Sequence, residues 1–119
     1  MKLDIRYMAG FVDGEGHIGF YYSGDSGCPV ICVVNTDKSI LMEMQEKLGG
    51  SVTVRARAKK NHKIVYVWRI TSRKKVVPVL KRLRKHLILK QAQADLIINN
   101  DYYKARSKKA MHKLNKKGP

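Results

Sequence analysis

A chain of 119 residues with 44% hydrophobic content is long enough for one folded domain with a modest core, and too apolar for a disordered segment. Its 25 Lys and Arg against 9 Asp and Glu give a net charge of +16, which calls for a polyanionic partner. No run approaches the roughly 18 apolar residues of a membrane span. The early charges Lys2, Asp4 and Arg6 argue against a secretory signal, so the expected place is the cytoplasm or an organellar matrix or nucleoid, and not the secreted space.

The first predicted element is a helix. Ile5, Met8, Ala9 and Val12 recur at helical spacing, Asp4 caps the start, and Gly14 and Gly16 end it. His17 to Tyr22 then alternates, with Ile18, Phe20 and Tyr22 on one side and His17, Gly19 and Tyr21 on the other. Ser23 to Gly27 is a turn, and Val30 to Val34 returns as a second strand. Asn35-Thr36-Asp37 supplies caps for a second helix with Ile40, Leu41, Met44 and Leu48 on its apolar stripe, and Gly49-Gly50 stops it.

Ser51 to Lys60 alternates most cleanly. Val52, Val54, Ala56 and Ala58 form a face for the core, and Ser51, Thr53, Arg55, Arg57 and Lys59 form the other. Lys60-Asn61-His62 turns the chain, and Ile64 to Ile70 pairs back. Ser72 caps a third helix through Val76, Val77, Leu80, Leu83 and Leu87, which Pro78 would kink unless it falls in the first turn. Leu89 to Tyr103 reads as a further helix. Lys104 to Pro119, with seven basic residues and no acid, reads as a basic helix or tail appended to a domain of residues 1–103.

The order α-β-β-α-β-β-α-α predicts an α+β fold: one four-stranded antiparallel sheet with helices on one face. The other face carries Tyr21, Thr53, Arg55, Arg57 and Lys59, with Tyr66 added from the last strand, and is the candidate binding surface. A twisted β-ribbon with alternating cations fits a DNA major groove about 12 Å wide. The charges reinforce this. Residues 1–50 hold four basic residues against seven acidic ones, so the remaining 69 hold 21 against two, a net +19. Lys108 and Lys109 in the C-terminal segment are assigned to phosphate contacts that do not depend on base sequence.

Cys28 and Cys32 have no second Cys/His cluster with which to build a zinc site. On one strand they would lie about 13 Å apart on the same face, too far for a disulfide, so they are expected to be reduced thiols. Two placements stay open for Cys28, Val30 and Cys32, the core or the binding face.

Tyr7-Met8-Ala9-Gly10-Phe11-Val12-Asp13-Gly14-Glu15-Gly16 is the most informative stretch. It places two carboxylates at a helix C-terminus, where the macrodipole favours cations. A metal ion is the simplest reason to hold acids there. With its strand, and with Asn35-Thr36-Asp37-Lys38 and Leu87-Ile88-Leu89-Lys90-Gln91-Ala92-Gln93-Ala94 downstream, this segment resembles the LAGLIDADG homing endonucleases. The likeness runs from about Arg6 to about Tyr103 and includes the αββαββα order.

The resemblance implies a site-specific DNA endonuclease of the kind tied to intron or intein mobility. Glu15, with the Gly14 carbonyl beside it, would ligate Mg²⁺ or another divalent cation such as Mn²⁺ or Ca²⁺. Many relatives carry Asp at that acidic position. Asp13 either assists the metal or makes local hydrogen bonds at the helix end. Lys90 either orients water and stabilises charge on the phosphate, or makes an ordinary phosphate contact at a helix start. Asn35 either positions water or caps a helix. His17 reads as a sheet-face contact, not a general base, and Trp68 as packing.

In this family two motif helices pack together through small residues, here Ala9, Gly10 and Gly14, with Asp13 at the same interface. The motif occurs once, and the chain is too short for two αββαββα units. Cutting both strands of double-stranded DNA then calls for a C₂ homodimer and a pseudo-palindromic target. The alternative is a cleavage-inactive binder on the same fold, an intron-RNA maturase or a DNA-binding regulator.

Overall fold

The computed structural model describes residues 3–23, 26–55, 63–99 and 105–116. The chain opens on helix α1 (Ile5–Glu15), capped by Asp4, whose carboxylate accepts the Tyr7 N–H at 2.9 Å. Strand β1 (Gly16–Ser23) follows without a linker, and β2 (Ser26–Asn35) returns. That direct passage from helix to strand needs Gly16, since a Cβ there would lie 2.8 Å from the Val12 carbonyl oxygen. Helix α2 (Lys38–Leu48) carries Leu41, Met44 and Leu48 inward. It ends at Gly49 and Gly50, both at positive φ. A Cβ on Gly50 would come within 2.6 Å of the Arg69 carbonyl, so only glycine fits there.

Strands β3 (Ser51–Arg55) and β4 (Val65–Thr71) complete an antiparallel sheet of order β1-β2-β4-β3. Residues directly opposite one another share a face, so the register sorts every side chain. Ile18, Ile31, Val33, Trp68 and Ile70 lie on the helix-covered face and are buried with Met8, Val12, Leu41, Met44, Leu80 and Leu83. Trp68 fixes the sheet to the end of α2 by donating its indole N–H to the Gly49 carbonyl at 2.8 Å. Val52 packs partly on this core, opposite Trp68. Val54, expected beside it, is 64% exposed, because β3 is the sheet edge and the covering layer ends before it.

Helix α3 (Arg73–Leu83) contains Pro78 in its interior, not its first turn. Pro78 and Lys74 are both exposed, so the carbonyl that loses its donor faces water. Ser72 holds the N-cap position at φ +79° without a side-chain cap bond, and offers its main-chain carbonyl to the N–H groups of Lys75 and Val76. That conformation is strained for any residue with a Cβ. Ser72→Gly is expected to raise the melting temperature by roughly 4 °C, about 1 kcal/mol, in a thermal circular-dichroism scan. Ser72→Ala retains the strain and gains nothing.

A 3-10 turn (Arg84–His86) leads to α4, which spans Gln91–Ile98 and not Leu89 onward. Arg73 caps its far end, donating to the carbonyls of Ile97 at 2.6 Å and Ile98 at 3.1 Å, where a cation suits the helix dipole. The expected extension to Tyr103 lies outside the described residues. Helix α5 (Ala105–Lys116) is the predicted basic helix, and Met111 anchors it in the core.

Candidate active site and nucleic-acid interface

The C-terminal turn of α1 carries the two carboxylates of the motif, Asp13 and Glu15. Asp13 faces inward and Glu15, two residues on, is exposed. The Asp13 carboxylate accepts three main-chain N–H groups from a segment 75 to 77 residues away. Ile88 donates to one oxygen at 2.9 Å and Lys90 to the other at 2.8 Å, while Leu89 reaches both at 2.9 Å. Burial alone would raise the Asp13 carboxyl. The N–H groups of Leu89, Ile88 and Lys90, with the Lys90 charge, more than offset that and hold it below the usual carboxylate range.

This tie fixes the segment just ahead of α4 against the end of α1. It also aims Lys90. The Lys90 side chain turns back over α1 and donates its ammonium to the Asp13 carbonyl, in a site where the residue is only 5% exposed. Burial lowers the ammonium pKa, and the charges of Asp13 and Glu15 push it back up. His17, the second residue of β1, feels the same cation. Desolvation and then the Lys90 charge push its imidazole below the ordinary value, which keeps it neutral near pH 7.

Glu15 accepts no hydrogen bond and forms no ion pair among the described residues. Nor do three His, Cys, Asp or Glu side chains gather anywhere among them. The described residues of one chain therefore do not surround a metal ion by themselves. They do offer an exposed carboxylate at the negative end of a helix, next to the Gly14 carbonyl, and such hard oxygen donors suit Mg²⁺, Mn²⁺ or Ca²⁺ when other oxygens complete the shell.

Asn35 is not the cap of α2, which is Asp37, whose carboxylate accepts the Ser39 N–H at 3.0 Å. The Asn35 side-chain oxygen accepts the Asp37 N–H at 2.7 Å and shapes the turn into α2.

The open face of the sheet collects His17, Gly19 and Tyr21 from β1, Cys28, Val30, Cys32 and Val34 from β2, then Val65, Val67 and Arg69 from β4. Ser51, Thr53 and Arg55 join them from β3. This resolves the cysteines, which are unpaired thiols on the open face. Tyr66 is a correction. It pairs with Val54 and Asn35, faces the helix layer and stacks under the Lys38 ammonium at 5.5 Å, so it does not join Arg55 and Thr53. Arg69 takes the place sequence reasoning gave to Tyr66. The alternation of buried Trp68 and Ile70 around Arg69 was the signal for it. Arg57 and Lys59 lie outside the described residues, as does the Lys108 side chain, while Lys109 is exposed on α5.

The outer face of α1 has a different character. Tyr7, Gly10, Phe11 and Gly14 fall at i, i+3, i+4 and i+7, and the Tyr7 and Phe11 rings stack with centroids 6.3 Å apart. A Cβ on Gly10 or Gly14 would meet nothing within 4 Å. Ala9 and Asp13, expected on this stripe, point into the chain's own core instead, because one residue along a helix turns the side chain by about 100°. Ile88, held by Asp13, adds an 84% exposed apolar side chain.

Comparison with known proteins agrees with this arrangement. The model of the LAGLIDADG-like domain family matches residues 2–84. A search among curated protein sequences finds no match. Among solved structures, the homing endonuclease I-CvuI, in complex with the I-CreI target in the presence of Mg and with its DNA not cleaved, is 28% identical. It superposes with a TM-score of 0.64 over 80% of this chain and 63% of its own. I-CvuI with its own target in the presence of Ca gives 27% identity, a TM-score of 0.63 and the same coverage. The archaeal intron-encoded homing endonuclease I-Vdi141I, complexed with DNA, shares the fold at 21% identity and a TM-score of 0.63, over 95% of this chain and 80% of its own. This chain thus spans just under two thirds of the length of I-CvuI. With the motif helix feeding β1, the four-stranded antiparallel sheet and a family match over residues 2–84, the chain belongs to the LAGLIDADG homing endonuclease family.

Proposed function

We propose that the protein is a divalent-metal-dependent DNA endonuclease that cuts both strands of a long pseudo-palindromic target as a homodimer. One observation carries the reading: the exposed Glu15 carboxylate acts on the buried Lys90 ammonium at the end of a helix whose outer face carries two open glycines, Gly10 and Gly14, beside Tyr7 and Phe11. A structural ion pair would bury both groups together. Here the acid is left at the surface and the base is held in place by the main chain.

Glu15 and the Gly14 carbonyl are the residues that would hold the metal, with phosphate oxygens completing the shell. When bound, the metal activates water and stabilises charge on the phosphate. Lys90, fixed through Asp13, presents a cation to the same phosphate and stabilises the negative charge that develops there. Asp13 acts through Lys90 and is a positioning residue. Arg55, Arg69 and Lys109 hold the polyanion, in a half of the chain with net +19.

Each chain supplies one Glu15, so two cuts need two chains. The stripe of Tyr7, Gly10, Phe11 and Gly14, with Ile88 beside it, is the surface that a second α1 would cover. I-CvuI with DNA and Mg or Ca supports both the substrate class and the cation. Mobility of an intron or intein is the biological setting this activity fits.

The test is direct. Purified protein incubated with Mg²⁺ and duplexes selected for binding is expected to cut both strands, to lose cutting in EDTA, and to sediment on DNA as two chains per duplex. Tight binding with intact DNA in both Mg²⁺ and Mn²⁺ would leave a cleavage-inactive binder on the same fold. A monomer both with and without DNA defeats the dimer.

A further inference from the structure

The open sheet face is basic at its rim but apolar in the middle. A concavity of about 570 Å³ there has Cys32, Val34 and Val67 as its floor, with Thr53, Arg55 and Arg69 around it. Val34 and Val67 are direct cross-strand partners, and Thr53 continues the same row onto β3. The flanking rows carry the arginines: Cys32, Arg69 and Ser51 on one side, Val65 and Arg55 on the other. Burial raises the Cys32 thiol against the pull of Arg69 and Arg55, so the floor stays uncharged. None of these floor residues belongs to the hydrophobic core on the opposite face.

We propose that this floor reads thymine C5-methyl groups, and that the Val34 and Val67 row specifies A·T pairs in each half-site between positions read by Arg69 and Arg55. The inference rests on the DNA-binding reading above and adds what that DNA must contain. Across the four base pairs, the thymine methyl is the one apolar group on the major-groove edge. A guanine or cytosine edge set against two valines loses water from its polar atoms and gains no partner. A methyl group there loses nothing and buries apolar area. Rows two residues apart on a strand are about 6.8 Å apart, or about two base-pair steps of 3.4 Å. Strands lying along the groove would therefore read arginine, valine and arginine rows at intervals of about two base pairs, which favours a G–T–G spacing.

The experiment uses the full chain in EDTA, so that no cutting intervenes. Duplexes are selected from a random library, and equilibrium binding is then measured with each thymine replaced by deoxyuridine in turn. Deoxyuridine keeps every hydrogen-bonding group and removes only the methyl. At floor positions it is expected to weaken binding about fourfold per methyl, near 0.8 kcal/mol. Where a C·G pair replaces T·A, 5-methylcytosine is expected to recover part of the loss relative to cytosine. In the Val34→Ser/Val67→Ser double variant, which removes every methyl group of the two valines and leaves polar side chains in their place, thymine and deoxyuridine sites are expected to bind equally. Selected sites with no thymine between the arginine positions, or wild-type affinity indifferent to deoxyuridine, would overturn the inference while leaving DNA binding intact. So would a double variant, folded by circular dichroism, that still discriminates fourfold. Failure to bind any duplex sinks the DNA-binding reading itself, and this inference with it.

Discussion

Glu15→Gln is expected to lower cleavage of cognate DNA about a thousandfold or more while leaving binding intact. Glutamine keeps the length and shape of the side chain and removes its charge. Because Glu15 is exposed and bonded to no described group, the fold has nothing to lose from the change. Under the proposed function Glu15 would be the anionic protein ligand of the metal, and its loss would remove roughly 4 kcal/mol of transition-state stabilisation, which corresponds to the thousandfold. Binding should hold or tighten, since a negative charge leaves the neighbourhood of the phosphates. The measurement pairs a gel cleavage assay in Mg²⁺ with equilibrium binding in EDTA. Unchanged cleavage would falsify the ligand assignment. Equal loss of binding and cleavage would make Glu15 a DNA contact instead.

Much of this was legible in the sequence, and the limits have physical causes. The first helix and its acids could be read because 3.6-residue periodicity meets glycine at its end within one local stretch. The β3 alternation over Ser51 to Arg55 could be read because one of its faces is polar. Strands β2 and β4 were harder, since both of their faces carry apolar residues: Val30, Cys32 and Val34 alternate with Ile31 and Val33, and Val65 and Val67 with Trp68 and Ile70. Period-two reasoning needs a polar face to orient it, and here the open face has a valine floor. That is why Tyr66 was set on the wrong side and Arg69 was passed over. The partnership of Asp13 with residues 88–90 left no trace in local pattern. It joins positions 75 to 77 apart, and only the folded chain shows that a carboxylate at one helix end organises the start of another.

That partnership carries the second large effect. Asp13→Asn replaces one acceptor oxygen with an NH₂ group that meets a main-chain N–H as donor against donor. At least one of the three N–H groups then loses its partner in a buried site, at a cost of about 2 kcal/mol or roughly 8 °C in melting temperature. The pH dependence has a definite sign. The folded carboxyl lies below its ordinary value, so its stabilisation is complete above the unfolded value of about 3.9 and fades as pH falls through the lower folded value. The gap between wild type and variant in a thermal scan should therefore be widest near neutrality and close in acid below about pH 4. A gap that stays constant into strong acid would mean that the Asp13 charge contributes nothing. The same variant separates positioning from packing. With Ile88 to Lys90 released from α1, the Lys90 ammonium no longer has a fixed place beside Glu15, although the open sheet face, the proposed DNA surface, is untouched. Measured well below its melting temperature, Asp13→Asn should lose kcat by about a hundredfold, the scale set by displacing a catalytic group by about 1 Å, while KM changes little. A purely structural Asp13 predicts normal kcat in the folded fraction, and that result would reduce the residue to a staple between two helices.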